Sequence, residues 1–144
     1  LAPYPSDIKE KAQKAFGAFL EWAGGSKLQP RETELALISE KYRFGGCLDS
    51  MLVNGRLSLG DWKTSGGVYD DYLLQLAAYG LLWEENFPDQ PLEGGFHLMR
   101  FGKIGGEFAH HWWDYSNPRM IAARKLFILY REAYDLKKDL AAKE

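Results

Sequence analysis

Hydrophobic and polar residues follow two different periods along this chain, and the changes between them divide the sequence into helices and strands. Near the N-terminus, apolar residues recur every three to four positions, which predicts a helix over about residues 7–23. Residues 34–39 favour a first strand, although their period is ambiguous. The segments 46–53 and 56–63 flank an Asn-Gly dipeptide, the strongest short signal of a β-hairpin.

The second half of the chain contains the remaining elements. They are a helix, two strands and a final helix, over about residues 71–86, 96–101, 108–113 and 118–140. Asp70 or Asp71 is the expected cap of the first of these helices, and Asn117 with Pro118 starts the last one. Residues 102–106 are expected to form the turn between the two strands. The order α-β-β-β-α-β-β-α predicts an α/β (α+β) fold, in which helices flank a central mixed β-sheet.

Composition limits the class of protein. The 144 residues are 46% hydrophobic and 15% aromatic, which indicates one folded domain over 1–144 rather than a disordered chain. No apolar run reaches 18 residues and no signal-peptide pattern opens the chain, so we expect a cytoplasmic domain without a membrane partner. The chain begins at Leu1, which is compatible with an N-terminus processed or cut from a longer protein.

Charge and cysteine content exclude further classes. A net charge of −2 excludes a strongly basic nucleic-acid binder by bulk charge, but not a local basic face. Cys47 is the only cysteine, so the chain has neither an intramolecular disulfide nor a cysteine-ligated metal cluster.

Two aspartates and a lysine in the predicted hairpin carry the candidate chemistry. Asp49 lies in its first strand, and Asp61 and Lys63 lie at the end of its second strand. Two carboxylates can hold a cation such as Mg²⁺ while other positions stay open for water and phosphate. Lys63 follows Asp61 by two residues and therefore leaves the same strand face, where it can stabilise charge on a phosphate. These groups are the ones that metal-assisted phosphodiester hydrolysis requires.

A shared metal ion places a condition on the hairpin. If Asn54 and Gly55 alone joined the strands, Asp49 would face Gly60, and Asp61 would point to the opposite sheet face. We therefore expect one additional residue, in a β-bulge of the second strand or in a three-residue loop.

Three motifs in this order resemble those of a nuclease family. Gly46-Cys-Leu-Asp49, Asp61-Trp-Lys63-Thr64 and the pair Gln75 and Tyr79 match G-x-x-D, D-[WY]-K-T and Q-x-x-x-Y. These are the motifs of the RecB-like exonuclease branch of the PD-(D/E)XK nuclease superfamily, and the likeness is close over residues 34–82. The resemblance implies a restriction-endonuclease-like core in a single nuclease-like domain. Some members hold an iron–sulfur cluster through four cysteines, which this chain cannot do.

The resemblance also implies an activity and a site. It implies a Mg²⁺- or Mn²⁺-dependent deoxyribonuclease, with exonuclease action on single- or double-stranded DNA in recombination, repair or phage DNA processing, in a cytoplasm that is the host's if the protein is viral. The implied catalytic residues are Asp49, Asp61, Lys63, Gln75, Glu34 and Tyr79. The metal would be held by Asp49, Asp61 and the main-chain carbonyl of Trp62. Gln75 and Tyr79, which share a helix face, would place the substrate or the metal-bound water. A core role for Tyr79 is the competing interpretation.

One motif of related nucleases has no clear counterpart. Those proteins carry an acidic or His-containing first motif on an upstream helix, and here the helix over 7–23 offers only Glu10 and Glu21. Glu21 or Glu34 substitutes for that motif, or the motif belongs to a missing N-terminal segment. Glu40 is a weaker rival to Glu34.

Two further groups of residues are candidates for binding a ligand. His97, His110 and His111, with Asp114, suggest a zinc site, but neighbouring residues of a strand point to opposite faces, which disfavours it. Basic residues of the last helix could contact a phosphate backbone, with a solvated helix face as the competing interpretation. They are Arg119, Arg124 and Lys125.

The alternative function is a non-catalytic module that binds nucleic acid or another partner and retains the nuclease fold. The incomplete first motif is the reason to consider it. Carbohydrate binding fits poorly, because it would favour an all-β domain.

Overall fold

The computed structural model describes residues 6–102 and 107–142. Its elements are α1 (Ser6–Gly25), β1 (Gln29–Ser39), β2 (Phe44–Val53), β3 (Arg56–Thr64), α2 (Asp70–Asn86), β4 (Phe96–Phe101), β5 (Phe108–Trp113) and α3 (Pro118–Ala141). The α+β class and the element order agree with the prediction. Residues 103–106, where most of the predicted turn between β4 and β5 falls, lie outside the described residues.

The five strands form one mixed sheet in the order β1-β2-β3-β4-β5. Neighbouring strands are antiparallel except for β3 and β4, which are parallel. The parallel pair requires a crossover connection, and α2 supplies it. The C-terminal ends of β3 and β4 therefore lie side by side at the same end of the sheet.

The β2–β3 hairpin differs from the prediction. Asn54 and Gly55 both have positive φ angles, 51° and 76°, as a two-residue type I′ turn requires. The register runs without interruption from Val53 opposite Arg56 to Asp49 opposite Gly60. The expected additional residue is absent from this hairpin, so that prediction was wrong. An Asn-Gly pair adopts the turn at little cost, and its twist matches that of the strands, so nothing forces a bulge.

Strand β1 is longer than predicted. It begins at Gln29 instead of residue 34, because its polar first half pairs with β2, although no alternating pattern marks it. The register shifts twice, between Pro30 and Glu32 and between Glu32 and Leu35. These irregularities lie on an edge strand, where bulges are common.

Of the two predicted helix caps, the one at the start of α3 is confirmed and the one at the start of α2 is wrong. The Asn117 side chain accepts a hydrogen bond from the Arg119 main-chain N–H, as expected at the start of α3. Helix α2 instead has Tyr69 at its N-cap position and no side-chain cap bond. Asp70 and Asp71 lie in its first turn, where their charges interact favourably with the helix dipole.

Helices cover both faces of the sheet. We call the surface under α2 the α2 face; its buried residues include Leu48, Leu59, Leu76, Leu98 and Phe96. We call the opposite surface the α1 face; there, Met51, Val53 and Met99 pack against Phe19 and Trp22 of α1. A fully buried leucine contributes about 1.5–3 kcal/mol to folding, so the cluster on the α2 face dominates the core.

Helix α2 is buried on nearly all sides because it lies between the sheet and α3. Helix α3 buries only Met120 and Ala123, and it exposes Leu129, Leu136 and Leu140. In the described part of the chain, no helix is both long enough and apolar enough to cross a membrane.

A histidine pair lies on the α1 face. His97 Nδ1 is 2.7 Å from His110 Nε2, so one ring donates a hydrogen bond to the other. Trp22 packs on His110 with 4.3 Å between the ring centroids. His97 is only 4% exposed. Its burial and, less strongly, the neighbouring His110 lower the pKa of His97 from 6.5 to about 4.

We predict that this pair makes folding less favourable in acid. Between pH 6.5 and about 4, His97 binds a proton in the unfolded chain but not in the folded chain, so stability falls as the pH falls through this range. The full difference is of the order of 3 kcal/mol at 1.4 kcal/mol per pKa unit. The measurement is the free energy of unfolding in urea from pH 7 to pH 4, for the wild type and His97→Asn. A variant with the same pH slope as the wild type would contradict the assignment.

Candidate functional site

An ion pair lies at the C-terminal end of β3, on the α2 face. Alternation along the strand places Asp61 and Lys63 on the same face as the buried Leu57 and Leu59. Lys63 Nζ is 3.1 Å from Asp61 Oδ2, and the two side chains are 25% and 18% exposed, respectively. The contact is electrostatic rather than a well-aligned hydrogen bond, since this buried oxygen accepts no hydrogen bond within the described residues.

Helix α2 places three polar aromatic or amide side chains over this end of β3. Tyr72, Gln75 and Tyr79 are three and four residues apart and therefore share one helix face. Lys63 Nζ lies 5.2 Å from the centre of the Tyr72 ring. Gln75 Nε2 donates a hydrogen bond of 2.7 Å to Tyr79 Oη.

Burial raises the pKa of Tyr79, which favours its protonated form. Burial is the main cause that raises the pKa of Tyr79, and the charge of Asp61 acts in the same direction, whereas the Gln75 hydrogen bond and Lys63 act against it. The structure thus places Tyr79, with its partner Gln75, near Asp61 and Lys63.

Gly46 allows the Tyr79 ring to approach β2. A Cβ atom at Gly46 would lie 3.2 Å from Tyr79 Cε1 and 3.3 Å from Leu82 Cδ1. A side chain at this position would push the tyrosine away from the sheet. The glycine of the first motif and the tyrosine of the third therefore pack against each other, which the sequence did not reveal.

Asp49 does not join this group. It lies opposite Gly60, on the α1 face, and its Oδ1 accepts a 2.7 Å hydrogen bond from the Glu34 main-chain N–H. Asp61 is one residue beyond Gly60, so its side chain points to the other face. The uninterrupted hairpin register is the physical reason why the two carboxylates are separated.

The predicted metal-ligand pair therefore does not fit this arrangement. A metal ion between Asp49 and Asp61 would need both carboxylates on one face. In residues 6–102 and 107–142, no group of three or more His, Cys, Asp or Glu side chains could hold a metal ion. Asp61 and the main-chain carbonyl of Trp62 still belong to the same strand. The Trp62 side chain packs on the α1 face, 5.0 Å from Phe19 between ring centroids.

The acidic candidates for the first motif lie elsewhere. Glu34 has a positive φ of 51° and an exposed side chain, and it contacts Asp49 through its main chain. Glu21 is exposed on α1, across the sheet from Asp61. The Glu40 main-chain N–H donates to Glu85 Oε2. None of these three is placed beside Asp61 and Lys63 by a described contact.

The histidines divide between the two faces, as alternation predicted. His97 and His110 pair on the α1 face, whereas His111 packs beside Trp113 and Arg100 on the α2 face. Asp114 Oδ2 accepts hydrogen bonds from Ser116 instead of meeting a histidine. The hydrogen bonds from Ser116 lower the pKa of Asp114. These placements do not assemble a zinc site.

The basic residues proposed on α3 have different surroundings. Arg119 lies 3.9 Å from Asp70 in an exposed ion pair, and the Arg124 guanidinium lies 4.4 Å from the centre of the Tyr115 ring. Lys125 is exposed. Their contact with DNA stays a prediction.

Arg100 is a neighbour of this site that the sequence did not indicate, and His111 was expected only as a candidate zinc ligand. Arg100 lies on β4 beside Lys63, and its guanidinium contacts the Ser65 carbonyl and the His111 ring. Alternation within 96–101 assigns Arg100 to the face of Leu98, but only the parallel register with β3 shows its proximity to Lys63. That register depends on α2 and has no local sequence signal.

Comparison with known proteins supports the fold but does not define the family. No protein-family model and no curated protein sequence matches the chain. A solved structure of similar fold is the 2.19 Å crystal structure of a "Putative exonuclease" from Eubacterium rectale, with a TM-score of 0.56 and 9% sequence identity. The match covers 93% of this chain and 55% of that one, so the chain spans about half the length of its structural neighbour. The two proteins therefore share a similar fold.

The contact between Gln75 and Tyr79 predicts measurable coupling. In a double-mutant cycle of Gln75→Ala and Tyr79→Phe, the free energy of unfolding should show an interaction term of about 0.5–1.5 kcal/mol, the usual contribution of one hydrogen bond. Chemical denaturation of the four proteins measures it. Strict additivity would mean that the two side chains do not interact in solution.

Proposed function

We propose that the chain is a metal-dependent DNA nuclease domain of the RecB-like type, with exonuclease action in recombination, repair or phage DNA processing. The observation that carries the proposal is the convergence of Asp61, Lys63, Gln75 and Tyr79 at one end of β3. These residues belong to the D-x-K-T and Q-x-x-x-Y motifs, and they lie in a nuclease-like fold. The proposal takes residues 1–144 as a single nuclease-like domain.

The chemistry follows from the donors that remain available. Lys63 carries three N–H donors, and its contact with Asp61 leaves others to meet a phosphate oxygen. A positive charge at this position stabilises the negative charge that develops during hydrolysis. Gln75 uses one amide hydrogen on Tyr79, so its second hydrogen and its carbonyl oxygen can orient the attacking water.

The proposed nuclease requires Mg²⁺ or Mn²⁺, and fewer residues are placed to bind the ion than the motifs imply. Asp61 and the Trp62 carbonyl are oxygen donors of the kind that these ions prefer. Asp49 lies on the other face and does not complete the set. Among the described residues of this site, Asp61 is therefore the one carboxylate that could hold the ion.

The second candidate is a non-catalytic module that binds nucleic acid with the same face. The separation of Asp49 from Asp61 favours it, because a nuclease of this type would use both carboxylates. DNA binding is common to the two candidates, and they differ in whether the bound strand is cut.

We predict that Asp61→Asn and Lys63→Ala each reduce cleavage at least 100-fold and leave the fold intact, because both residues lie at the end of a strand, outside the core. The assay is digestion of plasmid and single-stranded DNA with Mg²⁺ or Mn²⁺, together with circular dichroism and thermal unfolding. Lys14→Ala is the matched control, since Lys14 is an exposed lysine of α1. Cleavage by Lys63→Ala at the wild-type rate would show that the site is wrong. A wild type that binds DNA without cutting it would establish the second candidate.

The variant Asp49→Asn tests whether Asp61 acts without Asp49 or whether the two carboxylates act together. With Asp49 on the α1 face, this variant should cut DNA within a few-fold of the wild-type rate. A loss as large as that of Asp61→Asn would mean that both carboxylates act together, and that the hairpin of the active protein has a register shifted by one residue.

A further inference from the structure

Arg100 lies beside Lys63 at the C-terminal ends of the two parallel strands. In the β3–β4 register, Lys63 pairs with Arg100 and Asp61 pairs with Leu98. Both basic side chains point to the α2 face, and paired residues of neighbouring strands are about 4.8 Å apart. Lys63 and Arg100 thus lie next to each other on the α2 face, at the C-terminal ends of β3 and β4.

The guanidinium of Arg100 is held in place by two neighbours. One of its terminal nitrogens donates a 3.0 Å hydrogen bond to the Ser65 carbonyl. Its Nε donates toward His111 Nε2 at 3.4 Å. Ser65 is itself fixed, because it is buried and its N–H donates to the Phe101 carbonyl at 2.9 Å. Arginine has five N–H donors, so three remain for another acceptor.

Among the described residues, no carboxylate forms an ion pair with Arg100. His111 accepts the hydrogen bond and so stays neutral; burial and the charge of Arg100 lower its pKa. The guanidinium of Arg100 is half-buried, is held by two hydrogen bonds and has no ion-pair partner among the described residues. With Lys63 beside it, it has the geometry that binds a planar anionic group in bidentate fashion.

We propose that Arg100, positioned by Ser65 and His111, binds a phosphate group of the DNA strand next to the Asp61–Lys63 pair. The inference rests on the DNA binding proposed above and is independent of cleavage. Arg100 contacts the sugar–phosphate backbone and therefore contributes affinity without sequence preference. Its contribution depends on salt, because each phosphate contact releases condensed counterions.

Equilibrium binding without divalent metal tests this role. Fluorescence anisotropy of labelled single- and double-stranded oligonucleotides would be recorded in EDTA at several salt concentrations, for the full chain. Arg100→Gln should weaken binding about tenfold at low salt and reduce the slope of log K against log salt by about 1. Arg100→Lys should keep the slope, because the charge remains, and lose affinity, because the bidentate contact is gone. Arg56→Gln, at the far end of β3, is the charge-matched control and should leave the slope unchanged.

A second measurement needs no substitution. Phenylglyoxal modifies accessible arginines, and mass spectrometry of the wild type would compare Arg100 with Arg56 in the presence and absence of the oligonucleotide. DNA should protect Arg100 and not Arg56. An unchanged salt slope in folded Arg100→Gln, or equal modification of Arg100 with and without DNA, would overturn the inference alone. A wild type that binds no DNA would overturn the proposed function and this inference with it.

Discussion

The pairing of Val53 with Arg56 across a two-residue turn is the constraint on which the site depends. Because side chains alternate along both strands, this one pair decides the face to which every residue of β2 and β3 points. It places Leu57, Leu59, Asp61 and Lys63 in one row under α2. The same pair turns Asp49 to the other face. A shift of one residue would exchange these rows and move the leucines out of the core under α2, so the register is specified by the core and not by the site.

Helix α2 places Gln75 and Tyr79 near Asp61 and Lys63. It returns the chain from the end of β3 to the start of β4, and this return makes those two strands parallel. Its position between the sheet and α3 leaves it little freedom, since eight of its residues are buried. Gly46 lets the Tyr79 ring rest on β2, and Tyr79 in turn accepts the hydrogen bond from Gln75. The polar groups above β3 are thus held by the packing of a buried helix.

The sequence predicted the features that have local causes. Asn-Gly favours a type I′ turn, Asn-Pro favours a helix start, and the two-residue spacing of Asp61 and Lys63 requires a shared strand face. What it missed has causes outside the local segment. The first half of β1 is polar and becomes a strand only by pairing with β2. The proximity of Arg100 to Lys63 requires the parallel register. The bulge was expected because a metal site needed it, and the turn residues already favoured a hairpin without one.

The Asp61–Lys63 pair is difficult to explain as a stabilising contact. Partly exposed ion pairs contribute at most about 1 kcal/mol, because solvent screens the charges and two side chains must be ordered. The buried oxygen of Asp61 accepts no hydrogen bond within the described residues, so its desolvation is not fully offset. A leucine pair at these positions would extend the row formed by Leu57 and Leu59. Stability alone therefore favours an apolar end to β3, and the charged end is better explained by the chemistry proposed for it.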